Sequence, residues 1–452
     1  MGPAAANVLL REVEWFAMRD DSTAVDERYH QAVRALVAHR ADAAALIASA
    51  AAHDPECVLA RCLQGFCAFV LMRRERIQMA RAALEKARGA SERRDLDGRE
   101  RLHLMALGQA VAGRMREAAE TLGLAVALDP LDLAAIKIEH AFRFMLGDAA
   151  GMRASLERAI VAWTPAMADY GYVLGCLAFA LEETGAFDSA LMAGQRANEH
   201  TPDDAWGAHA VAHCYEMTGR PEQGLAWLRE CEPAFGAVNN FRHHLDWHQA
   251  LFCLELGRAG EVLTIYDRKL AQIRRDDFRD LADAASLLAR LEIAGISVGG
   301  RWRALGEIAA KRSNEANLAF ASLHDLLALL ASGRKGDGAA MLAVLTREAR
   351  SDSRTQASVL AQSGVRLAEM LWAWRAGAYA CAATLFLEVE PALGRLGGSN
   401  AQRDLFWRIA IHSALAAGQR EIARSLLDRR RRYYLRPRWA GAFEAELAPS
   451  AA

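Results

Sequence analysis

Apolar residues recur at helical spacing along almost the whole chain, in segments of about 12–16 residues that end at short turns containing Gly, Pro or Asp. Runs in which apolar and polar residues strictly alternate, as they do in half-buried strands, do not occur in the sequence. Many short helices joined by short turns are typical of repeat proteins. The pattern therefore predicts an all-α fold made of antiparallel helix pairs.

The residues of the turns repeat with a period of about 35 residues. Two periods apart, at a distance of 72 residues, the same residue types recur at the same offsets: Gly113, Ala118, Ala125 and Pro130, and then Gly185, Ala190, Ala197 and Pro202. A glycine lets the first helix of a pair turn into the second, small alanines let helices approach closely, and a proline closes the second helix. This arrangement resembles the tetratricopeptide repeat, which implies a superhelical solenoid with a concave inner face.

The regularity of the repeat divides the chain into three predicted regions. We expect N-terminal helical pairs over residues 1–100, tetratricopeptide-like repeats with a His-rich concave groove over 101–295, and degenerate helical repeats over 296–452. A charged connector at 91–101 and glycine-rich breaks at 295–300 and 397–400 interrupt the pattern.

Composition and charge narrow the classes of partner. The 55 basic and 56 acidic residues give a net charge of −1, so no overall field attracts nucleic acid or an anionic membrane. No apolar run approaches the length of about 18 residues that a membrane span needs, and the N-terminus does not look like a secretory signal. The eight cysteines lack CxxC spacing, which favours free thiols in a reducing compartment. We therefore expect a cytoplasmic protein that binds neither nucleic acid nor membrane.

Four histidines stand out because their spacing matches both the helix and the repeat. His209 and His213 are four residues apart, as are His244 and His248, so each pair shares one face of a helix. The two pairs are 35 residues apart, which is one repeat. Equivalent helices of successive repeats are neighbours in a solenoid, so the four imidazoles are expected to face one another.

The resemblance to tetratricopeptide repeats also implies on which side these residues lie. In such repeats, positions 2, 5, 9 and 12 of the first helix line the concave groove. The residues that this places in the groove are Tyr172, Glu182, Trp206, His209, His213, Glu216, His244 and His248.

Several blocks of the chain also resemble the tetratricopeptide repeat protein 38 family, over about residues 200–415. They are Pro202–Trp206 with the histidines and Glu216 that follow, His244–His248, Leu263–Asp267, Gly295–Gly299, and Leu396–Asp404 with His412 after it. The resemblance implies a cytoplasmic α-helical solenoid and no particular chemistry. Gln402 also matches the family pattern, whereas His243 does not. The residues that the resemblance adds to the candidate site are Asn400, Arg403, Asp404 and His412.

Several interpretations of the cluster stay open. The inner face is predicted to bind a small molecule or a peptide. Alternatively, His213, Glu216 and His248 would perform acid–base catalysis on a small molecule, because imidazole titrates near neutral pH. The four histidines would also suit Zn, Fe, Ni or Cu, and a purely structural polar network is the remaining possibility. HxxxH without a glutamate between the histidines is not the zinc-protease motif.

Overall fold

The computed structural model describes residues 26–272, 277–351 and 354–435, and within these ranges the chain is a succession of helices. The first group is α1 (Asp26–Val37), α2 (Ala43–His53), α3 (Val58–Phe69), α4 (Arg74–Ser91), α5 (Gly98–Val111), α6 (Met115–Leu128), α7 (Leu133–Met145) and α8 (Ala149–Ala159). The second is α9 (Tyr170–Glu183), α10 (Phe187–His200), α11 (Ala205–Met217), α12 (Pro221–Cys231), α13 (Phe241–Glu255), α14 (Ala259–Ile265) and α15 (Phe278–Ile293). The third is α16 (Trp302–Ala310), α17 (Ala319–Ala331), α18 (Lys335–Glu348), α19 (Thr355–Val359), α20 (Val365–Arg375), α21 (Tyr379–Val389), α22 (Asn400–Ala416) and α23 (Arg420–Arg430).

The turn inside each repeat is made by a glycine two residues after the end of the first helix. These glycines have φ between +65° and +82°, a left-handed conformation that glycine adopts without a steric penalty. They are Gly113, Gly147, Gly185, Gly219, Gly257, Gly295, Gly333, Gly377 and Gly418. Within the described ranges no strand forms apart from one isolated bridge between Arg40 and Val238. The predicted all-α solenoid of tetratricopeptide-like helix pairs is confirmed.

The solenoid coils through more than one superhelical turn, and successive turns pack on each other. The Asn317 side-chain amide donates to the Met72 carbonyl at 3.2 Å, across 245 residues of sequence. The Arg116 backbone N–H donates to Thr355 Oγ1 at 3.3 Å, across 239 residues. One superhelical turn therefore takes close to 240 residues.

Both ends of the described chain fold over the inner face. The turn after α1 places the His39 ring on Phe241, with ring centroids 4.5 Å apart, and the Ala41 N–H donates to the Ala237 carbonyl at 2.8 Å. At the other end, the Leu435 N–H donates to the Met217 carbonyl at 2.9 Å. Tight coiling and these two closures bury the inner face, so the predicted groove is not open where the histidines lie.

One apolar core runs through the described chain, from Tyr29 to Leu427. The predicted boundary at 295 falls at the turn between α15 and α16, and the one at 100 falls inside the first turn of α5. The three predicted regions share this core, and their division stays a prediction. The N-terminal residues on which the expectation about a secretory signal rests lie outside the described ranges. Among the described helices, none is long and apolar enough to cross a membrane.

Candidate functional site

The centre of the inner face is formed by the first helices of consecutive repeats: α9, α11, α13 and α15. Helix α11 begins where the Asp204 carboxylate accepts the Trp206 N–H at 3.1 Å, and it ends at the Gly219 turn. Every residue of α11 is buried, although it carries His209, His213 and Glu216 among its apolar residues. Three polar side chains in a fully buried helix need buried partners.

Four imidazoles meet between α11 and α13. His209 Nε2 lies 2.9 Å from His244 Nε2 and 2.9 Å from His213 Nε2. One ring nitrogen from each of His209, His213, His244 and His248 lies within 4.8 Å of all the others. The four residues are 1 %, 0 %, 9 % and 0 % exposed. The four histidines whose spacing predicted that they face one another therefore lie together, and the cluster is buried away from bulk solvent.

The contacts of His209 Nε2 are not those of an ordinary hydrogen-bond network. A neutral imidazole nitrogen either donates one hydrogen bond or accepts one, in the plane of the ring. His209 Nε2 has two imidazole nitrogens at 2.9 Å and can satisfy only one of them. His248 Nε2 is buried and has no hydrogen-bond partner among the described residues.

Carboxylates stand behind three of the four imidazoles. His244 Nδ1 lies 2.8 Å from Asp283 Oδ2, and His248 Nδ1 lies 3.0 Å from Glu216 Oε2. His213 Nδ1 lies 3.6 Å from a carboxylate oxygen of Glu182. Since Nδ1 faces a carboxylate, His244 and His213 are left with Nε2 turned toward the other rings.

Burial sets the charge state of the site. Loss of solvation, followed by repulsion from the protonated form of a neighbouring imidazole, holds the pKa well below the ordinary imidazole value for His209, His213 and His248. These rings are therefore neutral at pH 7. Loss of solvation also raises the pKa of the carboxyl groups behind the rings, Glu182, Glu216 and Asp283.

Aromatic rings pack around the imidazoles. Phe179 of α9 stacks on His209 with ring centroids 5.4 Å apart, and Trp247 stacks on His244 at 5.2 Å. Trp206 lies 5.0 Å from His209 and closes the other side. These contacts fix the planes of the rings.

The C-terminal block reaches this site through Glu183. The Asn400 N–H donates to Glu183 Oε1 at 2.7 Å, and Arg403 Nη2 donates to Glu183 Oε2 at 3.0 Å. Arg403 also donates to the Gly398 carbonyl, which fixes the guanidinium. Because Glu183 is next to Glu182, α22 is anchored directly behind His213. The predicted residues Asn400 and Arg403 thus adjoin the cluster without contacting the imidazoles.

Asp404 and Gln402 have partners of their own. Asp404 accepts from Arg408 at 2.6 Å and from Arg430 at 2.5 Å, so it is the acidic centre of a buried ion-pair network. Gln402 forms a capping box with Ser399 at the start of α22.

Two other candidates, Tyr172 and His412, lie apart from the imidazoles, and so does His243, which was not a candidate. Tyr172 donates its hydroxyl to Asp203 at 3.1 Å, at the start of α9. His412, in α22, accepts a hydrogen bond from the Trp374 indole N–H at 3.4 Å. His243 is half-buried, with Nδ1 3.7 Å from Asp280, and does not join the four rings.

Sequence reasoning missed several residues of the site. Asp283 follows His244 by 39 residues, and its signal is an acidic residue in the otherwise apolar stretch of α15. Tyr434 donates its hydroxyl to Glu216 Oε1 at 3.1 Å across 218 residues, and no local pattern marks it. Lys137 and His140, in apolar α7, are charged or titratable residues at buried positions.

The fold and the buried cluster place the chain among α-solenoids with a polar centre, and the comparisons add little beyond that. No protein-family model matches the chain. Twelve chains of solved structures match it. One is a chain in the structure of Naa15/Naa10 bound to HypK-THB, at 14 % identity and a TM-score of 0.25. The match covers 94 % of this chain, which spans 66 % of the length of that one. The resemblance to the tetratricopeptide repeat protein 38 family stays a prediction.

Proposed function

We propose that this chain is a metal-binding α-solenoid, and that the ligand of its His/Glu-lined interior is a transition-metal ion held by His209, His213, His244 and His248. The observation that carries the proposal is the convergence of ring nitrogens on His209 Nε2, which a hydrogen-bond network does not satisfy. Lone pairs directed at one cation satisfy all of these nitrogens together.

The distances support a common ion. Two nitrogen ligands at about 2.0–2.1 Å from one metal lie about 2.9 Å apart at a right angle and about 3.4 Å apart at the tetrahedral angle. The two short separations are 2.9 Å, and all four nitrogens lie within 4.8 Å. Imidazole ligands suit Zn, Cu, Fe and Ni.

The surroundings also support an ion. Neutral imidazoles leave the charge of a divalent cation uncompensated. The carboxyl groups of Asp283, Glu216 and Glu182 lie directly behind the rings, where a bound cation would favour their negatively charged form. A carboxylate on the second nitrogen of a ligating histidine is a common outer-shell arrangement that fixes the tautomer and the ring orientation.

The same geometry bears on the other interpretations. The four histidines are at most 9 % exposed, which favours a small ligand over a peptide. The two oxygens of Glu216 are engaged by His248 and Tyr434, which favours a supporting role over that of a general base. Catalysis by His213, Glu216 and His248 stays a prediction.

The test is the metal content of protein purified without a polyhistidine tag. Elemental analysis is expected to find about one transition-metal ion per chain, as a single four-ligand site requires. His213→Ala and His248→Ala are expected to lose most of this metal, because each removes one ligand. His243→Ala is the matched control: it removes a neighbouring histidine outside the cluster and should keep the metal.

The proposal would be overturned if the parent protein is purified without metal and then binds none of Zn, Fe, Ni or Cu when it is dialysed against each ion in the absence of denaturant. Equal metal contents in the parent and in both ligand variants would also overturn it.

A further inference from the structure

A second group of buried polar side chains surrounds Trp206, next to the histidine cluster. Lys137 Nζ lies 4.5 Å from the centroid of the Trp206 ring, and the His140 ring lies 5.4 Å from it. The His39 ring stacks on the same indole at 5.7 Å. Trp206 in turn lies 5.0 Å from His209, so the two groups share one wall.

Lys137 has no directly paired acid in the described chain. The residue is only 7 % exposed, and among the described residues no hydrogen bond or ion pair engages its ammonium group. The ring of Trp206 provides a cation–π contact with this group. Burying an ammonium group costs more than such a contact returns, and buried charges are normally paired.

The neighbours of Lys137 are also short of acceptors. His140 is 3 % exposed, and neither of its ring nitrogens has a partner among the described residues. Within the same ranges the Trp206 indole N–H, which only donates, is buried without an acceptor, and His39 Nε2 is buried without a partner. The ammonium group, the indole N–H and the two imidazoles around Trp206 therefore lack hydrogen-bond acceptors among the described residues.

One acid lies nearby and does not fill this role. Asp204 caps α11 by accepting the Trp206 backbone N–H at 3.1 Å, and it forms no ion pair with Lys137 within 4 Å. Burial raises the pKa of Asp204 to about 7, although the positive charge of Lys137 acts to lower it. Asp204 therefore compensates the charge of Lys137 only in part.

The repeat explains why Lys137 faces the interior. It lies ten residues before the Gly147 turn, as His209 lies ten residues before the Gly219 turn. Equivalent positions of the first helices point to the same inner face. Lys137 and His209 are therefore two inner-face residues that are presented in the same way, two repeats apart.

We propose that Lys137, with His140 and the Trp206 indole, binds an oxyanion group, a carboxylate or a phosphate, of a small molecule. An ammonium group supplies the charge, and the ring N–H groups supply directed hydrogen bonds to oxygen. The anion site stands on its own residues. That the same molecule reaches the neighbouring metal centre rests on the proposed function.

The test is isothermal titration calorimetry of the full chain with inorganic phosphate and, separately, with acetate, at constant ionic strength. Binding of one of them is expected, at least tenfold weaker in Lys137→Met, which keeps the length and removes the charge. Lys335→Met is the control, because Lys335 is exposed on α18. Binding of phosphate alone assigns a phosphate group, and binding of acetate assigns a carboxylate. Binding of neither, or equal binding in Lys137→Met, overturns the proposal.

Thermal unfolding provides a second measurement, in case Lys137→Met folds poorly. An uncompensated buried charge destabilises the ligand-free protein, so Lys137→Met should unfold at a higher temperature than the parent in chloride buffer. A lower unfolding temperature would show that Lys137 is a structural residue and would overturn the proposal. The metal content of Lys137→Met should equal that of the parent. Failure of anion binding with intact metal content therefore counts against this site alone, whereas a metal-free parent counts against the proposed function.

Discussion

Replacing His213 by alanine should destabilise the metal-loaded protein more than the metal-free protein. His213 is fully buried, packs against Phe179 at 5.3 Å and against His248 at 4.6 Å, and has Nδ1 3.6 Å from Glu182. In the metal-free protein its removal leaves buried polar partners behind, which costs about 1–3 kcal/mol, and adds the cost of a cavity.

A bound metal adds to the free energy of unfolding, and this contribution is separate from the cost of the cavity. A ligand that binds only the folded state stabilises it by about 2.7 kcal/mol at a free concentration 100 times the Kd, and by about 4.1 kcal/mol at 1,000 times the Kd. His213→Ala loses a ligand of the ion, so we expect this increment to vanish. The cavity cost is present with and without metal and cancels in the comparison.

The assay is urea unfolding followed by circular dichroism at 222 nm, for parent and variant, each stripped of metal and each reloaded. His243→Ala should show the same metal-dependent increment as the parent, because it lies outside the cluster. If His213→Ala lowers stability by the same amount in both conditions, the histidines are a structural network and the reasoning is wrong.

Further predictions concern the carboxylates. Asp283→Asn should weaken metal binding about 10–100-fold, as measured by competition with a chelator, because His244 loses its charged outer-shell partner. Asp404→Asn should lower the free energy of unfolding by about 3–5 kcal/mol in urea, since Arg430 and Arg408 lose a buried counter-charge. Burial alone would raise the pKa of Asp404, but Arg430 and Arg408 outweigh it and hold the pKa below the ordinary value. The stabilisation that ionised Asp404 provides is therefore present above the unfolded pKa of about 3.9 and is lost as pH falls through the lower folded pKa. The parent should lose stability below about pH 4 for this reason. Asp404→Asn should lack this part of the pH dependence.

Each of these predictions has a matched comparison. Asp280→Asn changes a buried acid of the same helix beside His243, and it should leave metal affinity within about threefold of the parent, since it does not contact a predicted ligand. An Asp404→Asn variant that keeps parental stability at pH 7 would show that the arginines are not held by Asp404. Equal acid sensitivity of the parent and Asp404→Asn would assign that sensitivity to other carboxyl groups.

The sequence was sufficient to bring the four imidazoles together because their placement depends only on two periods. Residues four apart share a helix face, and residues one repeat apart are neighbours in any stacked solenoid. His209 and His244 meet at 2.9 Å for this reason. His243 keeps neither spacing and lies outside the cluster.

The depth of the site was not predictable in this way. Whether the inner face is an open groove or a sealed core depends on small rotations between repeats, which accumulate over many units. Tyr434 reaches Glu216 and Arg403 reaches Glu183 only because these rotations bring the chain back on itself. Asp404 was predicted to be a ligand-binding residue, but both of its oxygens are engaged, by Arg408 of the same helix and by Arg430 of α23.

The contacts between superhelical turns bear on how this protein unfolds and on which parts of it can be separated. Ordinary solenoids unfold from their ends, because each repeat contacts only its neighbours. Here the contact between Asn317 and Met72 joins repeats 245 residues apart, so the N-terminal repeats are held by the superhelical turn that follows them. Melting of the N-terminal pairs would therefore remove support from the C-terminal half as well. We expect one cooperative transition for the whole chain, and no stable fragment from a cut at residue 295.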